Sequence, residues 1–159
     1  MRQKIAIPSV ILWFLFNSPV FAGDGWQTDM RVSLMDAQNR LSIGQKLDAA
    51  DGRDARYDVP AILLGEVMAY IEEPDGGKYW RKFRSDCDRH PCSKRWDILV
   101  ESDWEGEIIR LSWNPSSFPA EMMITLLDEA TGDTMNMQAQ AEYSYKNAGK
   151  RRFQIEVQH

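Results

Sequence analysis

Trp26-Gln27-Thr28-Asp29-Met30-Arg31-Val32-Ser33-Leu34 is the stretch that decides the fold class. Trp26, Thr28, Met30, Val32 and Leu34 alternate with Gln27, Asp29, Arg31 and Ser33. Successive side chains of an extended chain point to opposite faces, so a period of two predicts a strand with one face buried and one wet. Asp36-Ala37-Gln38-Asn39 reads as a turn, after which Leu41, Ile43 and Gln45 keep the same beat.

Outward from this stretch the rhythm recurs. Val67, Ala69 and Ile71 alternate up to Pro74-Asp75-Gly76-Gly77, a strong turn signal. Tyr79, Arg81 and Phe83 predict another strand, followed by Trp96, Ile98 and Val100, then Ile109, Leu111 and Trp113. Met122, Ile124 and Leu126 lead into Asp128-Glu129-Ala130-Thr131-Gly132-Asp133, a hairpin turn. Ala141, Tyr143 and Tyr145 form a strand, and Asn147-Ala148-Gly149-Lys150 turns the chain into Phe153, Ile155 and Val157. The nearest approaches to a helical repeat, residues 63–70 and 120–127, are short and rich in residues that strands accept. Many short strands at spacings of about ten residues predict an all-β fold, an antiparallel β-sandwich of immunoglobulin or fibronectin-III-like type. A jelly roll is the second choice.

The chain has 159 residues, 19 Lys+Arg, 24 Asp+Glu, two His and a net charge of −5. That length is one domain and is enough to bury a core without a metal. The excess of acid argues against nucleic acid, whose phosphates call for a basic stripe. Two imidazoles leave little material for a His-rich metal site or a Ser-His-Asp triad.

Residues 1–22 predict a signal peptide. Met1-Arg2-Gln3-Lys4 is a positive start, residues 5–16 are apolar apart from Pro8 and Ser9, and Val20-Phe21-Ala22 fits a cleavage site. The apolar run falls short of the about 20 residues that cross a bilayer. The residue directly after Ala22 is Gly23 and not Cys, which argues against a lipid anchor, and no other segment is apolar enough to span. Residues 23–159 are therefore expected to form a single β-sandwich domain, secreted or periplasmic, with no membrane span after cleavage.

In an oxidising compartment, Cys87 and Cys92, spaced C-x4-C, are most simply a disulfide pinning a short loop. The competing reading adds His90 and either Asp86 or Asp88 as metal ligands, although closed zinc sites draw on two separated pairs. Asp48, Asp51, Asp54 and Asp58 crowd one loop and are candidate calcium ligands, since calcium takes several oxygens from a flexible segment. The plain alternative is a solvated connector, in which the Asp side chains cap turns and Arg53 and Arg56 balance them.

No G-x-S-x-G elbow, P-loop or H-E-x-x-H occurs. Glu101, Asp103, Glu105 and Glu107 cluster around a predicted turn, where acids keep a loop soluble. The expectation is a protein that is not an enzyme, with no catalytic residue and no cofactor. Trp96 and Trp113 fall in phase with core positions, whereas Tyr79, Trp80 and Trp104 do not all find an obvious burial site. These three are the candidate contacts for a sugar or a partner protein, the roles that exposed aromatics serve at interfaces.

Asp51-Gly52-Arg53-Asp54, Tyr57-Asp58-Val59-Pro60, Trp96-Asp97-Ile98-Leu99-Val100-Glu101-Ser102 and Ile109-Arg110-Leu111-Ser112-Trp113-Asn114 occur in that order. Leu126-Leu127-Asp128-Glu129-Ala130-Thr131-Gly132, Tyr143-Ser144-Tyr145 and Arg151-Arg152-Phe153-Gln154-Ile155 follow. Together they resemble the immunoglobulin/fibronectin-III-like β-sandwich module found at the C-terminal end of large secreted or surface proteins of bacteria. The resemblance covers nearly all of the chain after residue 22, and the C-x4-C loop is not part of its pattern. It implies an accessory, anchoring or sorting role without assigned catalytic residues.

Two functions are expected from these readings. The first is a non-catalytic, exported subunit of an extracytoplasmic assembly, acting on another extracytoplasmic protein by direct contact. The second is a carbohydrate-binding module, taking a glycan on Trp80 or Trp104 with a calcium loop beside it. An unpaired strand edge favours the first, and a coplanar pair of exposed aromatics the second.

Overall fold

Strands β1 (Trp26–Leu34) and β2 (Ala37–Lys46) form a hairpin closed by Met35 and Asp36. Ala37 already faces Leu34 across the ladder, so the expected turn at 36–39 is shorter and earlier. The connection 47–77 carries β3 (Val59–Pro60) and β4 (Met68–Glu72), and β5 (Lys78–Ser85) and β6 (Ser93–Glu101) follow. β7 (Ile108–Trp113) precedes a 3₁₀ turn at Pro115–Ser117. β8 (Met123–Asp128), β9 (Thr134–Asn136), β10 (Glu142–Lys146) and β11 (Arg151–Gln158) complete the chain. This computed structural model describes residues 25–87 and 91–159. The predicted signal peptide, together with Asp88 and His90, lies outside the described residues.

The fold is all-β, as the period-two pattern predicts. All the strands belong to one hydrogen-bonded sheet, ordered β10-β7-β1-β2-β5-β4-β6-β11-β8-β9, with β3 paired beside β5. The sheet curls into a half-barrel instead of dividing into two separately bonded sheets. It is also not wholly antiparallel, because β2 and β5 run parallel. Parallel neighbours require a long crossover, and the connection 47–77 supplies it.

β5 is the strand that joins the two halves of the curled sheet. Lys78 and Tyr79 pair with Glu72 and Ile71 of β4, whereas Arg81 through Ser85 pair with Ser42 through Lys46 of β2. The strand thus changes partner along its length, beside an irregular register at Val59 and Pro60. Trp26 of β1 meets Trp96 of β6 across the interior, ring centres 5.9 Å apart and edge to face, although the two strands are not sheet neighbours. A single core collects the inward positions of the curled sheet, among them Met30, Val32, Leu41, Ile43, Ile98, Leu111, Ile124, Phe153 and Ile155. The indole N–H groups of Trp26, Trp96 and Trp113 donate to Gln45 Oε1, Lys82 O and Met137 O at 2.8, 3.0 and 2.8 Å. Each large ring is thereby buried without stranding its donor.

Candidate functional site

Among the described residues the path of the half-barrel ends at two strand edges, β10 and β9, which no ladder joins, while the two-residue β3 pairs with β5 alone. β9 is three residues long, and its Asn136 side chain is turned back to accept from the Gln138 and Ala139 amides. Short, side-chain-capped edges are poor templates for pairing. β10 is the longer edge and is read as Glu142-Tyr143-Ser144-Tyr145-Lys146.

Alternation assigns the two faces of β10. Tyr143 and Tyr145 turn inward, where the Tyr145 ring lies 5.4 Å and the Tyr143 ring 6.0 Å from that of Phe153 on β11. Tyr143 Oη donates to Asp128 Oδ2 at 2.7 Å, and Arg151 Nε donates to Asp128 Oδ1 at 2.9 Å while its guanidinium stacks over Tyr145. Burial alone raises the Asp128 pKa, but the hydrogen bonds from Arg151 and Tyr143 outweigh it and hold the carboxyl below its ordinary value. Burial, with the bond to Asp128, pushes the Tyr143 phenol up, and burial pushes Tyr145 up further. β10 is therefore fastened from beneath.

Its outer side is open. Trp113 N donates to Ala141 O at 2.9 Å and Asn147 N to Glu107 O at 2.7 Å, so the odd-numbered residues exchange their backbone bonds with β7. In an antiparallel ladder the intervening residues then point their amides and carbonyls the other way. Glu142, Ser144 and Lys146 are these residues, all with exposed side chains. Their backbone groups have no partner among the described residues. Arg110 Nε lies 3.7 Å from Glu142, a pair exposed at both ends that contributes little. Sequence reading missed this edge, because alternation marks a strand without revealing whether a neighbour lies on both sides.

The sequence candidates are placed elsewhere. Tyr79 is only 6% exposed, a core residue paired with Ile71 of β4, so it offers no contact surface. Trp80 is half-buried against the core, and its indole N–H is buried with no hydrogen-bond partner among the described residues. Trp104 is 47% exposed on the loop between β6 and β7. That loop is tied down by the buried Asn147, whose Nδ2 donates to Ser102 O at 3.0 Å and Trp104 O at 2.8 Å. The three aromatics form no shared platform.

Each carboxylate proposed for calcium faces a cation of the chain itself. Arg56 contacts Asp48 at 3.0 Å and Asp54 at 2.9 Å, Lys94 contacts Asp51 at 2.7 Å, and Lys82 contacts Asp58 at 2.8 Å. Hydrogen bonding from Arg56 holds Asp54 far below the carboxylate range, and bonds from Lys94 and Ser85 hold Asp51 low despite its burial. Among the described residues no three of His, Cys, Asp and Glu gather around a point where a metal ion fits. The loop is a clasp over β5, its carboxylates held by Arg56, Lys82 and Lys94. Cys87 and Cys92 form the expected disulfide, Cα atoms 5.9 Å apart. Glu101 accepts from Tyr70 Oη and pairs with Lys150 at 3.0 Å, contacts that keep its pKa low. Among the described residues no helix is long and apolar enough to cross a membrane.

Comparison with protein-family models, with curated proteins and with solved structures found no match to this chain.

Proposed function

We propose that this chain is an exported, non-catalytic protein that acts by contact with other protein through the open edge of β10, as a subunit of an extracytoplasmic assembly. The observation that carries the reading is the row of outward backbone groups at Glu142, Ser144 and Lys146 on a strand locked in place by Tyr143 and Tyr145. An extended partner segment completes such a row with main-chain hydrogen bonds, without deforming the host. Export is supported by the positive start and apolar run of residues 1–22 and agrees with the disulfide at Cys87 and Cys92. Kinship with immunoglobulin or fibronectin-III-like modules is supported by the all-β, curled sheet whose interior Trp26 and Trp96 close. The glycan reading keeps only Trp104, a lone exposed ring.

A photo-crosslinking amino acid placed at Ser144, and separately at Gln27 on the outer face of β1, tests the reading in cells producing the full chain. Protein adducts at position 144 and none at position 27 are expected. Absence of adducts at 144, together with glycan-array binding that Trp104→Ala abolishes, would transfer the function to the sugar surface.

A further inference from the structure

Resting on the strand-contact reading, we propose that the partner at β10 is a second copy of the same chain, paired antiparallel about Ser144. The outward residues run acid at 142, hydroxyl at 144 and base at 146. Running the strand against itself about Ser144 sets Glu142 of each copy opposite Lys146 of the other, with Ser144 opposite Ser144. Because these three residues direct their backbone groups outward, all three positions become hydrogen-bonded pairs, with Cα atoms about 5.5 Å apart. Opposite charges facing each other across such a pair are favourable, and like charges are not.

No other arrangement has this complementarity. A parallel pairing lays Glu142 beside Glu142 and Lys146 beside Lys146. A two-residue slip sets a charge against Ser144 and carries the other charge beyond the strand. Charges on an edge usually deter pairing. Here their opposite signs at symmetric places turn the deterrent into a selector for one register and one partner. The closed form is isologous, each copy offering the same surface to the other. Ile108, the ladder neighbour of Lys146 on β7, is exposed beside the join and extends it with apolar area. A five-residue strand pairing buries less than the about 1,200 Å² of a standard interface, so the dimer is expected to be weak and concentration-dependent.

Sedimentation equilibrium on the full mature chain tests this, with far-UV circular dichroism and thermal melting to verify folding. Wild type is expected to show a monomer–dimer equilibrium. Glu142→Lys alone and Lys146→Glu alone each replace two attractive pairs with two repulsive ones, so each should weaken association by about tenfold or more. The double exchange Glu142→Lys with Lys146→Glu should restore it. An equimolar mixture of the two single variants should form heterodimers, since one copy then presents only lysines and the other only glutamates. A wild type that stays monomeric, or dimers indifferent to the single reversals, overturns self-pairing, as does a mixture that fails to associate. Adducts at position 144 to a different protein, with a monomeric wild type, would overturn self-pairing and leave the strand-contact reading standing; no adduct of any kind would remove both.

Discussion

Lys82 is the residue whose placement departs furthest from its type. Its side chain is 0% exposed, with Nζ 2.8 Å from Asp58 Oδ2 and a further bond to Gly52 O. Asp58 in turn accepts from the amides of Asp54 at 2.7 Å and Phe83 at 3.3 Å, so the pair is fully engaged. Truncating one member leaves the other charge buried alone, which costs about 3–5 kcal/mol. Lys82→Ala should therefore lower the urea-unfolding free energy by that amount, and a paired Lys82→Met, Asp58→Leu replacement by much less. Asn147 carries a comparable load with neutral groups, holding two loop carbonyls and burying itself to do so. Asn147→Ala should cost about 1–3 kcal/mol in the same measurement, the penalty of stranding buried partners. Neither role is legible in the sequence. Arg81-Lys82-Phe83-Arg84 reads as solvated cations around one core residue, and only the loop folding over the bent β5 reveals that Lys82 lies inside.

At the scale of elements the sequence is far more informative, because alternation is local. The strands around Trp26, Ile98, Leu111, Ile124, Tyr143 and Phe153 occur where the period of two puts them. Their partners were not legible: nothing in the beat of Ile43 or Phe83 announces that β2 and β5 lie side by side and parallel, since that depends on how 47–77 crosses. Likewise the open edge of β10 is a property of its neighbours. The β1–β2 turn also fell outside turn rules, for Met35 holds φ 48°, a left-handed conformation that costs an L-residue about 1–2 kcal/mol. Met35 is exposed and contributes no core contact, so Met35→Gly should raise stability by roughly 0.5–1 kcal/mol in thermal unfolding. The disulfide closes so short a loop that Cys87→Ala with Cys92→Ala should cost only about 2 kcal/mol and preserve the far-UV spectrum.

For the molecule as a whole, ionisation on both sides of neutrality is built into the packing. Asp29, Asp51, Glu101, Asp128 and Glu156 all have depressed pKa values, which means the folded state binds their protons less readily than the unfolded chain. Their contribution is present above the unfolded carboxylate value of about 4 and is lost as pH falls through the lower folded values. Tyr143 and Tyr145 are raised, so theirs is complete below about 10 and lost as pH climbs beyond it. The melting temperature should form a plateau between those limits. Asp128→Asn should flatten its acid shoulder, and a profile unchanged by that substitution would contradict the role given to the Arg151–Asp128–Tyr143 cluster.

Among the described residues, the parallel contact of β2 with β5 is the one backbone ladder between β10-β7-β1-β2 and the rest of the sheet. Both flanking blocks are sewn together by antiparallel ladders, whereas this junction awaits the closure of a thirty-odd-residue excursion. It is therefore a line of weakness. When the protein breathes below its global unfolding limit, it should come apart there as two subglobal units. Deuterium should enter the amides of Ser42 through Lys46 and Arg81 through Ser85 well before those joining β6 to β11. A molecule stretched between its ends would rip along the same line, exposing Trp96 and Trp26 together.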